Sequence, residues 1–493
     1  MTRSARSESS SGNGRPQRRL HPRANSGANS VPGRPLADTE FVQLLSDWSR
    51  GDGPLYALLA ERIAALMDEG TVREGVRLPS ERALAAALSV SRRTVEAAYD
   101  QLQSLDLVGR RTGVGTWAKP RTVPVSGRRR RTAASFVDLL LSGSRPLDLA
   151  VAALPAHELV IESRYAAEVE SLQRTTHGYH PSGLDELREQ VCAWFGRLGA
   201  PTSPDQIAIT SGAAQALWIA ASLLSPGSDV AVESPTSPTI LTALRAHPLR
   251  LRPTVTDDHG LVPNELPAGL GGAVFVTSTY LNPTGAQLTW GRCRQLAERA
   301  TAGLLVVEDL AMADIRLDGP RPQTVAAAAP EAPVVSIGSM SKLYWAGLRV
   351  GWLRGPAGLI RRINQAKAML DLSAPPETQA RAAWLLERHA DVRRDRLPEL
   401  RRYRDDLHAR LADRLPEWRA PIPAGGMSLW TTLPADLSTS LCNRMLRRGV
   451  RLLPATAFDV HGRDERHLRL PFVLPPAVNE VIVERLADAA ERD

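Results

Sequence analysis

The sequence Ile337-Gly-Ser-Met-Ser-Lys-Leu-Tyr-Trp-Ala-Gly-Leu-Arg349 sets one lysine, Lys342, in a Ser/Gly-rich turn that follows an apolar run and precedes an arginine. Of 61 basic side chains in the chain, only Lys119, Lys342 and Lys367 are lysine. Wherever a plain positive charge suffices, the chain uses arginine. Arginine stays protonated and cannot form an imine with an aldehyde, whereas a deprotonated lysine amine can. Lys342 is therefore a candidate anchor for pyridoxal 5′-phosphate (PLP). Lys119 and Lys367 read as surface lysines.

On both sides of this turn, helical patterns alternate with short apolar runs. These are Gln206-Ile-Ala-Ile-Thr210, Val230-Ala-Val232, Ala273-Val-Phe-Val276, Leu304-Leu-Val-Val307 and Val334-Val-Ser-Ile337. Runs of this length separated by helices are strands buried on both faces, so residues 146–493 are expected to form an α/β domain with a mainly parallel sheet. Further motifs fall along it in order: Tyr179-His-Pro-Ser-Gly, Thr210-Ser-Gly-Ala-Ala, Val232-Glu-Ser-Pro235, Leu281-Asn-Pro-Thr-Gly285, Val307-Glu-Asp309 and His467-Leu-Arg-Leu-Pro471. The second is a strand-to-helix turn whose backbone N–H groups suit a phosphate.

Toward the N-terminus the composition changes. Residues 1–38 are rich in Ser, Gly, Asn, Pro and Arg and are expected to be a disordered basic tail. Residues 119–145, with the run Arg128-Arg-Arg-Arg131, read as a linker extended by its own charge. Between them, residues 41–118 carry three helical patterns. One opens at Pro54 with Leu55, Leu58, Leu59, Ile63, Leu66 and Met67 on one face. A second is capped by Ser80 and uses Leu84, Ala87 and Leu88. The third, capped by Ser91, spans residues 92–105 and turns Val95, Ala98, Tyr99 and Leu102 inward. Arg92, Arg93, Thr94 and Glu96 then stand at the exposed start of a helix that suits the major groove. Gly109-Arg-Arg-Thr-Gly-Val-Gly-Thr-Trp117 reads as a hairpin that carries Arg110 and Arg111 toward the DNA backbone.

The bulk numbers agree with an anionic partner: the formal net charge is +8 and the pI about 9.8. Cys192, Cys293 and Cys442 have no paired spacing, which argues against a disulfide framework or a zinc site and fits a reducing cytoplasm. No metal site and no membrane association are expected, because no apolar run reaches membrane-spanning length and no signal peptide is present.

Pro54-Leu-Tyr56, Arg77-Leu-Pro-Ser-Glu-Arg82, Val90-Ser-Arg92, Thr94-Val95 and Gly113-x-Gly-Thr116 together resemble the DNA-binding domain of GntR-type bacterial regulators. That resemblance implies a winged helix-turn-helix on double-stranded operator DNA, with Arg82, Arg92, Arg93, Thr94, Arg110 and Gly115 at the contact. The motifs of residues 146–493 resemble the class I/II aminotransferases of PLP fold type I, which implies a large domain followed by a smaller C-terminal α+β subdomain. By that resemblance Lys342 is the Schiff-base lysine and Asp309 pairs with the pyridinium nitrogen. Asn282 bonds the phenolic oxygen. Ser339, Ser341, Arg349 and the Gly212-Ala213 backbone hold the phosphate, and Tyr179 reaches the phosphate of a neighbouring subunit. Arg469 takes a ligand carboxylate.

The two modules in this order resemble the MocR (GabR-like) regulators. That layout implies a cytoplasmic PLP-dependent regulator, nucleoid-associated when bound to DNA, working as a head-to-tail homodimer. It would hold PLP as an imine on Lys342 and sense an amino compound or PLP itself. Some positions depart from the aminotransferase pattern. Ser237 and Ala311 stand where ring-contacting tyrosines are usual, and Ala213-Ala214 replace side-chain phosphate donors. These departures count against efficient transamination. An active aminotransferase with an attached DNA-binding module, and a regulator whose large domain binds no cofactor and only dimerises, are the other two readings.

Overall fold

The computed structural model describes residues 38–45, 48–49, 54–68, 71–72, 75–104, 107–111, 115–119, 147–162 and 165–491. The expected tail and the arginine-rich linker fall almost wholly outside the described residues. The chain divides into two compact units, Met1–Arg130 and Arg131–Asp493.

The first unit packs helices Asp38–Leu45, Leu55–Asp68, Glu81–Leu88 and Arg92–Ser104 against a two-stranded hairpin. Ser80 caps the third of these helices by accepting from the Ala83 N–H at 3.1 Å. Ser91 does the same for the fourth, accepting from the Thr94 N–H at 3.1 Å. Between them Ser89 takes the left-handed conformation (φ 55°) that turns the chain. Val95, Ala98, Tyr99 and Leu102 are fully buried, as the helical spacing predicts. The buried Tyr99 hydroxyl donates to the Pro79 carbonyl at 2.8 Å and so locks the last helix to the start of the third. Two expectations fail at the edges of this core. Leu55 stays 45% exposed, and Ala85 rather than Ala87 faces inward, because Leu84 and Ala85 together fill the space over the last helix. The hairpin pairs Val108–Arg111 with Gly115–Ala118 antiparallel, Val108 opposite Ala118.

The second unit is built on a seven-stranded sheet. Across it lie Ile207–Thr210, Gly351–Arg354, Val334–Ser339, Leu305–Asp309, Ala273–Thr277, Asp229–Glu233 and Arg250–Thr254. Only Gly351–Arg354 runs against the others. Neighbouring residues face opposite layers, as the pleat requires. Phe275 and Val307 pack with Leu217, Ile240 and Leu353 on one side. Val274, Val276 and Val306 pack with Leu296 and Ala297 of helix Trp290–Thr301 on the other. This two-sided burial is why the strands read as continuous apolar runs. A smaller α+β portion follows, with Ser428–Thr432 antiparallel to His467–Pro471 and helices Ser438–Arg447 and Pro476–Ala490. Helix His389–Arg414 leads into it.

Two glutamates are wholly buried at the sheet, Glu233 and Glu308. Glu233 accepts the Thr277 N–H at 2.9 Å through one oxygen, while the other has no hydrogen-bond partner. Burial pushes its carboxyl up to about 8, and the nearby Asp309 charge adds to the rise. A folded-state value above the unfolded one means the native protein binds the extra proton. Stability is then full below about 4.5 and falls as pH rises toward about 8. Glu233→Gln keeps the acceptor and removes the titration. Its thermal denaturation midpoint should change less with pH across that window, and should exceed wild type at its upper end.

Candidate functional site

Gly212, Asp309 and Ser339 lie at or just beyond the carboxyl ends of strands of the large sheet, the usual place for a ligand in an open α/β sheet, whereas Arg349 precedes strand Gly351–Arg354, Arg469 lies within His467–Pro471 and Tyr179 in a loop between helices. Asp309 ends Leu305–Asp309, and Ser339 ends Val334–Ser339, which feeds the Lys342 turn. The half-buried Lys342 amine donates to the Ala152 carbonyl at 2.8 Å. Loss of water, together with repulsion from the nearby Arg469 guanidinium, brings its pKa down to about 8, with Asp309 opposing. Burial raises Asp309 to about 6, against the Ala311 N–H that bonds its Oδ1 at 2.8 Å and the Lys342 charge. At neutral pH Asp309 is thus chiefly a carboxylate, and a usable fraction of Lys342 is the free amine.

The phosphate turn is packed tightly. Gly212 sits at φ 90° and precedes helix Ala213–Ser222, whose free N–H groups point into the turn. Arg349, itself at φ 52°, donates to the Ser211 carbonyl at 2.6 Å. The Ser339 hydroxyl donates to Ser341 Oγ at 3.0 Å and accepts the Ser341 N–H at 3.2 Å. A Cβ on Gly351 would lie 2.7 Å from the Gly212 carbonyl carbon and 2.9 Å from Ala213 N, both backbone atoms. Gly351→Ala should therefore shift the turn and weaken PLP binding by roughly 1–3 kcal/mol, readable as a roughly 5- to 150-fold rise in Kd by dialysis.

Arg469 is only 3% exposed. One nitrogen donates to the carbonyls of Leu149 at 3.1 Å and Ala150 at 2.5 Å, and the guanidinium lies over the Phe458 ring. Its Nε is a buried donor with no partner. Asn282 Nδ2 reaches Ser237 Oγ at 3.5 Å, so the serine at a usual tyrosine position borders the same pocket. Ala311 supplies a backbone N–H to Asp309 and no ring. Tyr179 is 60% exposed, its ring beside that of His177. A free amine, a carboxylate, a phosphate turn and an arginine with a spare donor match the aldehyde, ring nitrogen, phosphate and substrate carboxylate of a PLP site. The residues present fit the group.

The expectation for Lys367 is overturned. It is 1% exposed, paired with Asp371 at 3.1 Å and bonded to the Pro181 carbonyl at 3.3 Å. Asp371 in turn accepts from Gln215 at 2.8 Å and Ser211 at 3.3 Å. Lys367 thus braces the phosphate turn from behind. The i,i+4 spacing of Lys367 and Asp371 was its one sequence signal.

In the first unit, Arg82, Arg92 and Arg93 are exposed at the helix starts. Thr94 is half-buried, its hydroxyl 2.8 Å from Ser91 Oγ. Arg92 pairs with Glu81 at 3.2 Å and keeps 70% of its side-chain surface open. Arg110 does not project freely: it is held by Glu81 and Asp100, and Glu81 so joins the recognition helix to the hairpin. Gly115 has φ 100°, and a Cβ there would meet Arg77 Nε at 2.9 Å. Among the described residues no helix is long and apolar enough to cross a membrane.

A winged helix and a lysine, carboxylate, phosphate turn and arginine that fit PLP, in one chain, are the features of a DNA-binding protein with an aminotransferase-type domain. Residues 55–117 match the model for bacterial regulatory proteins of the gntR family, and residues 146–486 match that for aminotransferase class I and II. The HTH-type transcriptional regulator TauR of Rhodobacter capsulatus is 30% identical over 474 residues, covering 89% of this chain and 97% of TauR. The HTH-type pyridoxine biosynthesis transcriptional regulator PdxR of Corynebacterium glutamicum is 28% identical over 398 residues, covering 79% of this chain and 86% of PdxR. The α-aminoadipate aminotransferase LysN of Thermus thermophilus superposes with a TM-score of 0.64 at 28% identity, covering 73% of this chain and 95% of LysN. The chain belongs to the MocR-type regulators, in which a GntR-type DNA-binding domain is fused to a PLP-dependent class I/II aminotransferase domain.

Proposed function

We propose that this protein is a cytoplasmic transcriptional regulator whose affinity for operator DNA is set by the state of a PLP site anchored on Lys342. The observation that carries the reading is the half-buried Lys342 amine, bonded to the Ala152 carbonyl and under the electrostatic influence of Arg469 and Asp309, in the same chain as a winged helix. PLP supplies an aldehyde that captures amines and a ring that withdraws electrons. Lys342 presents the amine, and Asp309 accepts a hydrogen bond at the ring nitrogen. Asn282 donates to the ring oxygen. Ser339, Ser341, Arg349 and the Gly212-Ala213 amides bind the phosphate, and Arg469 binds the carboxylate of an amino-compound effector. Tyr179, exposed on the surface, reaches the phosphate of a second copy in a head-to-tail homodimer. An effector shifts DNA binding only if it favours one arrangement over the other, by about 1–3 kcal/mol.

The reading favours sensing over turnover because Ser237 and Ala311 leave the ring without its usual tyrosine contacts. The assay is half-transamination: an amino donor followed by a keto acid. The expected result is capture of the amino compound without steady turnover, and sustained turnover would make the protein an aminotransferase. At the DNA end, Arg82, Arg92, Arg93 and Thr94 read the operator. Arg93→Ala should weaken binding and lower the slope of log K against log salt by about 1 if it meets a phosphate. Relaxed base preference by about 1–3 kcal/mol at one position would instead mark a base contact.

A further inference from the structure

Behind the Lys342 turn, on the side of helix His389–Arg414, lies a half-open cavity of about 90 Å³ lined by Arg197, Arg316, Arg321, Arg393, Asp314 and His389. Four guanidinium groups face one carboxylate. That carboxylate is already engaged: Asp314 accepts from Trp194 Nε1 at 2.9 Å and lies 3.2 Å from His389 Nε2, whose other nitrogen meets the Tyr344 hydroxyl at 3.0 Å. Among the described residues, Arg197, Arg316 and Arg393 have no acidic partner within ion-pair distance. Arg321 donates only to the Arg197 carbonyl. The Nε of Arg393 is buried and has no hydrogen-bond acceptor.

The neighbouring cavity, which shares Arg316 and Arg393, shows the contrast. There Arg401 pairs with Asp318 at 3.1 Å, and Arg394 with Asp391 at 2.8 Å. The fold neutralises arginines a turn away and leaves these three unpaired. Like charges gathered in a recess repel, and a buried guanidinium N–H without an acceptor costs free energy comparable to a lost hydrogen bond. Both costs vanish if an anion enters. Planar guanidinium forks suit carboxylate and phosphate oxygens.

We infer that this recess binds a small oxyanionic metabolite, a phosphate ester or a dicarboxylate, at a site separate from the Lys342 pocket. The inference does not rest on the PLP reading, since none of its residues is assigned there.

The test is calorimetric titration of the full-length, PLP-loaded and borohydride-reduced protein with inorganic phosphate and, separately, with succinate. Sodium chloride at matched ionic strength is the reference. Saturable binding of one probe above the chloride reference is expected, and which probe binds tells phosphate from dicarboxylate. The Arg316→Gln/Arg393→Gln variant should bind it at least tenfold more weakly. Its thermal midpoint without ligand should equal or exceed wild type, because repulsion has been removed. Binding unchanged in that variant, or no binding of either probe beyond chloride, would overturn the inference. So would a variant that loses operator DNA affinity while wild type ignores both probes, because the arginines would then belong to the DNA surface. Arg197→Gln, at the exposed rim, gives the same reading if the double variant fails to fold. Failure to find a PLP adduct leaves this comparison intact, since wild type and variant differ only in the recess.

Discussion

Lys342→Ala protein, incubated with PLP and reduced with borohydride, should carry no covalent adduct, whereas wild type should carry one, at residue 342. No other side chain can stand in. Lys367 is buried in its pair with Asp371 and the Pro181 carbonyl, and the remaining basic groups save Lys119 are arginines, which do not form imines. Lys119 is held by other residues at the end of the winged-helix unit. Phosphate contacts from Ser339, Ser341 and Arg349 would persist, so PLP retention should fall by roughly a hundredfold or more, about 2.8 kcal/mol, rather than to nothing. Lys342→Arg should fail equally. In wild type, capture should speed up as pH rises through about 8, where the amine loses its proton. Intact-mass spectrometry with peptide mapping and equilibrium dialysis read all of these.

Glu308→Ala should produce the largest loss of stability. Its Oε1 accepts from Ser278 Oγ at 2.6 Å and from the Val325 N–H at 2.5 Å. Its Oε2 accepts from Ser336 Oγ at 2.9 Å and from the Ala326 N–H at 3.3 Å. Burial raises its pKa, while the four hydrogen bonds it accepts oppose the rise, so the group serves as a hydrogen-bond hub. Removing it leaves several buried donors unsatisfied and opens a cavity in the central strand. The expected cost is about 3–5 kcal/mol. Calorimetry of the large unit should show a clear fall in its melting midpoint. Glu308→Gln keeps the shape and one acceptor and should lose far less. Because Asp309 follows directly, Glu308→Ala should also lower PLP retention at temperatures where the domain stays folded.

The parts of the fold that the sequence revealed are those governed by local pattern. The parallel strands are continuous apolar runs because both faces are covered. The recognition helix is marked by its serine cap and its four-residue apolar spacing. Two strands of the seven-stranded sheet escaped that reading. Arg250–Thr254 is an edge strand with a mostly exposed pattern. Gly351–Arg354 ends in an arginine that proves 99% buried, satisfied by Thr202 Oγ1 and the carbonyls of Pro201 and Pro330. Long-range satisfaction of that kind has no local signal. The same limit hid the burial of Lys367, one of whose partners, the Pro181 carbonyl, lies 186 residues away. It also hid the two pairs that draw Arg110 inward, and the Leu149 and Ala150 carbonyls, some 320 residues away, that hold Arg469. The Lys342 motif was legible for a chemical reason: in an arginine-rich chain, a retained lysine stands out where an amine must lose its proton.

Fluorescence anisotropy of labelled operator DNA, titrated with full-length wild type and with Lys342→Ala, each with and without PLP, bears most directly on the coupling of the two units. Wild type should change its DNA affinity by about 5- to 150-fold on adding PLP, and Lys342→Ala should lose most of that change while still binding DNA. Equal affinity in all four titrations would contradict the account and leave a DNA-binding protein that does not respond to its PLP site.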